Sequence, residues 1–181
     1  MKAGFLPRLA VCCAVVAVLA GCAVPREQFR TVYLMAKFDA DEIRRGLEPG
    51  PLSLSGAAFL RQKGGGVVTC AGATVFLTPV TAYTKERMLA IYGSSGTTKF
   101  ASVNERRVRF IPDDVVELEA VARKERCDAQ GNFQFSGLRP GSYYVSTVVL
   151  WSVGYNHQGG AVMERVDLES GKSPRVVLSG D

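Results

Sequence analysis

The chain has 181 residues, of which 47% are hydrophobic and 22% are charged, and its formal net charge is +5. This length fits one domain, and this composition excludes a largely disordered chain. Two of the 22 basic residues, Lys2 and Arg8, fall in the leader described next, which leaves 20 basic against 17 acidic residues, an excess too small to indicate nucleic-acid binding.

Residues 1–21 predict a signal peptide. Lys2 and Arg8 precede an uncharged apolar run at 9–19, and small residues follow it. As a helix, the eleven residues of this run would rise only about 16 Å, about half of the hydrocarbon core of a bilayer. The run is therefore expected to direct export and not to span a membrane.

The leader ends in Leu19-Ala20-Gly21-Cys22, which resembles the lipobox of bacterial lipoproteins. In that family the cysteine is lipidated on sulfur and becomes the mature N-terminus, so the resemblance implies that Cys22 anchors the protein to a membrane. More than one acyl chain is enough for stable anchoring. Ala23 stands where Asp would favour inner-membrane retention, which implies sorting to the outer membrane, on the periplasmic side of the cell envelope. An ordinary signal peptide with a cysteine at its cleavage site is the alternative.

Two cysteines remain for the folded domain. Of five in the chain, two lie in the apolar run and one is Cys22, which leaves Cys70 and Cys127. An even remainder in an oxidising compartment predicts a disulfide, and two free thiols are the alternative. A zinc site is disfavoured, because zinc usually takes four ligands and the chain adds only His157 to these two cysteines.

Residues 22–54 predict a lipidated tether that carries one short helix. Asp39 followed three residues later by Glu42 fits an N-cap pair, and Gly46 fits a helix stop. Residues 40–45 are therefore expected to form one or two helical turns.

Residues 55–181 predict an all-β domain. After Pro51, short runs rich in β-branched and aromatic residues are separated by Gly, Pro, Asn and Asp. Residues 93–104 are the most loop-like stretch, and residues 115–126 fit a helix or a strand equally well. We count seven or eight short strands and almost no helix, which indicates a two-sheet sandwich.

The stretch at 127–145, CDAQGNFQFSGLRPGSYYV, is the most informative. Gly131 is expected to supply a positive φ in a turn. Phe133 and Phe135 then share one face of a half-buried strand. From 143 to 153 apolar side chains fall on both faces, which predicts a strand in the middle of a sheet.

This stretch resembles the signature of carboxypeptidase regulatory-like domains, which belong to the transthyretin-like (prealbumin-like) β-sandwiches. The pattern is Asp-x-x-Gly-x-Phe-x-Phe and then Leu-x-Pro-Gly-x-Tyr. The matching residues are Asp128, Gly131, Phe133, Phe135, Leu138, Pro140, Gly141 and Tyr143. The resemblance implies that fold for about 55–180, and its motif carries no catalytic residue. An immunoglobulin sandwich is the main alternative, but Trp151 lies after both cysteines and not between them.

Candidate catalytic groups are few. His157 lies in YNHQGG, a predicted hairpin loop, and a surface histidine is the simpler interpretation of it. Enzymes on related sandwiches use several histidines, whereas this chain has one, so we expect no enzyme, no cofactor and no metal. Four acidic residues are interpreted as a charged strand edge and not as a catalytic carboxylate pair. They are Asp113, Asp114, Glu117 and Glu119.

Several aromatic residues are candidates for stacking on sugar rings, although core packing is the alternative interpretation. They are Tyr83, Tyr92, Tyr143, Tyr144, Trp151 and Tyr155. The sequence thus predicts a non-enzymatic envelope lipoprotein, held on the membrane through Cys22, whose sandwich binds another envelope protein. The alternative prediction is a module that binds carbohydrate or another small ligand.

Overall fold

The computed structural model describes residues 29–93, 99–104, 107–171 and 174–180, so the leader and Cys22 lie outside it. The described residues form eleven strands and three α-helices. The strands are β1 (Arg30–Tyr33), β2 (Leu52–Arg61), β3 (Val67–Thr69), β4 (Thr74–Pro79), β5 (Lys99–Ser102), β6 (Val108–Ile111), β7 (Arg123–Arg126), β8 (Asn132–Leu138), β9 (Gly141–Val153), β10 (Asn156–Leu168) and β11 (Arg175–Leu178). The helices are α1 (Ala40–Gly46), α2 (Ala82–Tyr92) and α3 (Val115–Val121).

Two sheets form a β-sandwich. One has the strand order β5-β10-β9-β4-β7, and all of its neighbouring strands are antiparallel. The other is built around β2, which pairs in parallel with β11 and antiparallel with β8 and β3. The strand β8 pairs with the first half of β2, and β3 pairs with the second half. The strands β1 and β6 form a separate parallel pair.

The core lies between the two larger sheets and follows the alternation of their strands. In β2 every second residue from Leu52 to Leu60 is buried, and in β9 Tyr143, Val145 and Val149 point into the same core. Because successive side chains of a strand point to opposite faces, this period of two places one face of each sheet inside. The strand β9 lies third of five, so the prediction of a middle strand is confirmed.

The stretch at 127–145 forms the predicted turn and strand. Asp128 Oδ1 accepts hydrogen bonds from the backbone N–H groups of Gln130 and Asn132, and Gly131 has φ +82°. Phe133 and Phe135 are buried, as expected. A side chain on Gly131 would also approach Thr69 Cβ to 2.6 Å, so this position needs glycine for two reasons.

Cys70 and Cys127 are joined by a disulfide, with their Cα atoms 5.8 Å apart. Cys70 follows β3 and Cys127 follows β7. These strands belong to different sheets. The bond therefore links the two layers of the sandwich.

The helix α1 confirms the short helix predicted at 40–45. Asp39 Oδ1 accepts from the backbone N–H groups of Asp41 and Glu42, and these hydrogen bonds lower the pKa of Asp39. At the other end, the Tyr143 hydroxyl lies 3.1 Å from the carbonyl oxygen of Gly46 and 2.9 Å from that of Arg139. The buried tyrosine thus ties the helix to the turn before β9.

The described residues contain more helix than the sequence predicts. The helix α2 begins with a capping box between Thr81 and Thr84 and ends at Gly93 in the left-handed conformation. It covers part of the outer face of the five-stranded sheet, where Met88 packs on Tyr144 and Met163.

The ambiguous stretch at 115–126 holds both elements in turn, the helix α3 and the strand β7. The loop predicted at 93–104 includes β5, while residues 94–98 lie outside the described residues. The strand count exceeds the predicted seven or eight, since nine of the strands in the described ranges belong to the two sandwich sheets. The boundary predicted at residue 55 falls inside β2.

Among the described residues, no helix has the length and apolar character needed to cross a bilayer.

Candidate functional site

A groove with a volume of about 560 Å³ lies where strand ends of both sheets converge. Its walls come from the end of β2 and the turn that follows, from β5, from the β9–β10 hairpin and from the residues after β11. The lining side chains include three aromatic, three amide and two cationic groups. They are Phe59, Phe100 and Trp151, then Gln62, Asn104 and Gln158, then Arg61 and Lys63.

Trp151 is held in a defined orientation at the end of β9. It is half-buried and packs against the sandwich core. Gln158 lies directly opposite on β10, and the indole Nε1 donates to Gln158 Oε1 at 3.0 Å. Because this bond satisfies the only polar atom of the indole, the ring is fixed by both packing and hydrogen bonding.

Two consecutive glycines in β10 let aromatic rings lie close to the backbone. A Cβ on Gly159 would come within 2.9 Å of the Trp151 ring, and one on Gly160 within 2.7 Å of the Phe100 ring. Gly159 also has φ +98°. Both glycines therefore shape the groove, and sequence reasoning missed them because it assigned them to a loop. Glycine inside a strand, which often marks such a close approach, was the available signal.

The charged side chains among the described residues that line the groove are all positive. Arg61 and Lys63 stand at the end of β2 and in the turn after it, and both are exposed. None of the described residues that line the groove is acidic. The site therefore offers hydrogen-bond donors and positive charge beside an apolar aromatic wall.

The six aromatic residues that were candidates for stacking on sugar rings do not lie together in the structure. Of the six aromatic candidates, only Trp151 lines the groove. Tyr83, Tyr143 and Tyr144 are each only 1% exposed, which favours the core-packing alternative for them. Tyr155 is fully exposed at the hairpin turn. Burial raises the pKa of the sixth, Tyr92, which packs in the cluster beneath α2.

His157 lies in β10 and not in a loop, because the hairpin turn is shorter than the sequence suggested. Ser152 faces it across the β9–β10 pair, with the Oγ atom 3.2 Å from His157 Nδ1. Both side chains are exposed, and neither lines the groove. The Ser152–His157 pair therefore lies on the exposed surface, away from the groove.

The acidic group is not a strand edge. Asp114 is the N-cap residue of α3, while Glu117 and Glu119 belong to the helix itself. A carboxylate in the first turn of a helix complements the helix dipole, which accounts for Glu117. No cluster of three or more potential metal ligands occurs within the described ranges.

The chain is similar to a known protein in structure and not in overall sequence. No protein-family model matches the chain, and none of the curated proteins matches it. Among solved structures it is similar to a protein from Pseudomonas aeruginosa described as a "putative carbohydrate binding protein", with a TM-score of 0.62 and 21% sequence identity. The match covers 80% of this chain and 98% of the other. At this identity the likeness shows a shared fold.

Proposed function

We propose that this protein is a lipid-anchored component of the bacterial cell envelope whose β-sandwich binds carbohydrate in the groove around Trp151. The observation that carries the proposal is the indole itself, which Gln158 holds in place at the wall of an open groove. The anchor is Cys22, and the function is binding without catalysis.

The groove has the composition that sugar binding requires. A sugar ring presents apolar C–H faces to an aromatic ring and hydroxyl groups to amides, and the groove supplies both kinds of partner. Trp151, Phe100 and Phe59 line the groove as rings on which a sugar can stack, while Gln62 and Asn104 carry amides that can both donate and accept. The carbohydrate-binding description of the structurally similar protein points in the same direction.

The positive charges of the groove favour an acidic saccharide as the ligand. Arg61 and Lys63 have no acidic counterpart among the described lining residues, so a carboxylate or phosphate on the ligand is attracted and not repelled. A neutral saccharide makes the same stacking contacts without this electrostatic gain. We therefore expect uronic-acid oligosaccharides to bind more tightly than neutral ones of equal length.

The transthyretin-like assignment is part of the proposal. It is supported by the structural roles of the motif residues. Gly131 forms a turn, and Phe133 and Phe135 lie in the core. Tyr143 connects α1 to the sandwich through a hydrogen bond. None of these four residues lines the groove. A fold shared with carboxypeptidase regulatory-like domains fits a binding role carried by other residues.

Intrinsic fluorescence offers a direct test, because Trp151 is the single tryptophan of the chain. Titration with oligogalacturonate should change its emission with saturation, and neutral galactan fragments should need higher concentrations. Trp151→Ala should weaken binding, measured by calorimetry, by at least about tenfold, which corresponds to about 1.4 kcal/mol.

Tyr155→Ala is the matched control, since it removes a fully exposed aromatic residue of the same hairpin. It should leave the affinity unchanged. The double variant Arg61→Ala, Lys63→Ala should lose the preference for the acidic sugar and keep neutral binding. A panel in which no saccharide binds, or in which Trp151→Ala binds as well as the parent, would refute the carbohydrate proposal.

A second candidate function is the binding of another envelope protein. It is favoured by the outer face of β9 beyond α2, where Val148 is 44% exposed and Leu150 is 50% exposed. Neighbouring exposed apolar side chains are typical of interaction surfaces. Crosslinking in native membranes should then join a protein to this strand, and Leu150→Asp should abolish the crosslink without affecting saccharide binding.

A further inference from the structure

The β1–β6 pair has one face packed on the protein and one face turned outward. On the packed face, Phe110 is buried and the guanidinium of Arg87 lies 4.0 Å from the centre of its ring. Arg30 donates to the carbonyl oxygen of Ala90 in α2. Because side chains alternate along a strand, the residues between these belong to the opposite face.

The outward face combines aromatic, aliphatic and cationic side chains. The ladder sets Tyr33 beside Ile111 and Thr31 beside Arg109. Their neighbour Phe29 lies on the same face, since the Arg109 guanidinium is 4.5 Å from its ring centre. Tyr33 is 70% exposed, Ile111 42% and Phe29 38%. We call these five residues the outer face of the β1–β6 pair.

The composition of this face fits a membrane surface. Aromatic rings favour the boundary between lipid headgroups and acyl chains, where one end is apolar and the other hydrated. The exposed guanidinium of Arg109 attracts anionic headgroups. Met35, which is 87% exposed just after β1, adds a further apolar side chain near this face.

The position of this face in the chain indicates that lipid is what it contacts. The described structure begins at Phe29, seven residues after Cys22. Seven extended residues reach at most about 25 Å. If Cys22 carries acyl chains, as the proposed function holds, then Phe29 lies within that distance of the lipid. Among the described residues, the outer face is therefore the exposed apolar surface nearest to Cys22 along the chain.

We propose that the outer face of the β1–β6 pair rests on the anionic leaflet to which Cys22 is anchored, and that it orients the sandwich there. This inference depends on the lipid anchor of the proposed function. It adds a second contact to the acyl chains, and two signals together hold a peripheral protein more firmly than one.

The test uses the full-length gene product, purified from the bacterial cells that process it and reconstituted in vesicles that contain a photoactivatable phospholipid. One set of vesicles is phosphatidylethanolamine with phosphatidylglycerol, and the other is phosphatidylcholine alone. After flotation and illumination, mass spectrometry should find lipid adducts on the peptides covering residues 29–35 and 107–111, several-fold above all other peptides. The enrichment should be larger on the anionic vesicles.

Two variants sharpen the test. Tyr33→Asp and Arg109→Glu, both at exposed positions, should each lower the labelling of these peptides several-fold while the protein still floats. Val177→Asp, at a 45% exposed position on β11 in the four-stranded sheet, is the matched control and should change nothing. Circular dichroism melting of each variant separates lost contact from lost folding.

The outcomes distinguish the two proposals. Protein that does not float with vesicles contradicts the anchor itself. Protein that floats but is labelled evenly, or elsewhere, overturns the membrane-facing assignment and leaves the anchor standing. Equal labelling on neutral and anionic vesicles also overturns it, because Arg109 would then have no part. Crosslinks from these peptides to a protein in native membranes, with none to lipid in vesicles, would assign the face to a protein partner.

Discussion

Phe135 shows at the scale of one residue why the stretch at 127–145 is structural. Its side chain has no exposure, and its ring meets that of Phe133 at a centroid distance of 6.1 Å and an interplanar angle of 65°. Phe133 in turn fills the space over Gly56, where a Cβ would lie 2.3 Å from the ring. These contacts hold β8 and β2 to the core, so the residues of the motif serve packing.

Truncation of Phe135 tests this role. Phe135→Ala should lower the free energy of unfolding by about 3 to 5 kcal/mol, because it removes buried area and leaves a cavity. Urea denaturation measures the change. His157→Ala, an exposed substitution, should stay within about 0.5 kcal/mol of the parent. A Phe135→Ala protein of full stability would show that the ring is not part of the core.

Asp128 makes the stability of the turn depend on pH. Hydrogen bonds from the backbone and side chain of Asn132, and then from Gln130 and Gly131, lower the pKa of Asp128. A carboxylate with a lowered pKa stabilises the fold fully above its unfolded pKa, and this contribution is lost as pH falls through the folded value. The turn is therefore strongest near neutral pH and weakens in acid.

The substitution Asp128→Asn removes the charge and keeps an acceptor oxygen. We expect its melting temperature to be below that of the parent at pH 7 and to approach it as the pH falls below about 4. Thermal melts across this range measure the difference. A gap that stays constant down to pH 2 would mean that ionisation of Asp128 does not strengthen the turn.

At the scale of elements, the two sheets are joined covalently as well as by packing. The Cys70–Cys127 bond closes a loop with a sequence separation of 57 residues between a strand of each layer. Constraint of the unfolded chain by a loop of this length is worth on the order of 4 kcal/mol. The bond is buried, with the two cysteines 1% and 4% exposed, so the folded protein shields it.

The disulfide predicts a simple chemical result. Protein extracted from the membrane fraction and alkylated without reduction should carry no modification on Cys70 or Cys127, even when it is unfolded in denaturant. Reduction in denaturant before alkylation should modify both. The double variant Cys70→Ala, Cys127→Ala should melt earlier than the parent. Two alkylated thiols in the unreduced, denatured sample would contradict the bond.

At the scale of the whole molecule, the proposed anchor places the sandwich at a membrane. The residues that motivate it, Leu19 to Cys22, lie outside the described structure. In the two proposals the groove binds a saccharide and the outer face of the β1–β6 pair contacts lipid. Neither uses the residues of the 127–145 motif that build the core.

The anchor is tested by Cys22→Ser. Without the thiol no lipid can be attached, so the variant should incorporate no labelled palmitate and should accumulate as unprocessed precursor. Cys13→Ser, inside the leader, is the matched control and should be labelled as well as the parent. Equal palmitate incorporation into Cys22→Ser would mean that the lipobox interpretation is wrong.

The helix α2 shows where sequence patterns were insufficient. Its buried residues include Thr84 and Arg87 beside Met88, so its inner side is not a clean apolar stripe. These polar residues are accommodated by tertiary partners: the Thr84 hydroxyl donates to the carbonyl oxygen of Pro79, and the Arg87 guanidinium stacks on Phe110. A helix stabilised in this way has little periodic signal to detect.

The sequence by itself determined the features that depend on neighbouring residues. The turn at 128–132, the inward direction of Phe133 and Phe135, the helix after Asp39 and the middle position of β9 all follow from local turn chemistry and strand alternation. Only the tertiary structure decided the order of the strands and the groove. The groove joins residues of β2, β5 and the β9–β10 hairpin, which are far apart in the chain, because side chains from distant segments meet only after the sheets have paired and packed.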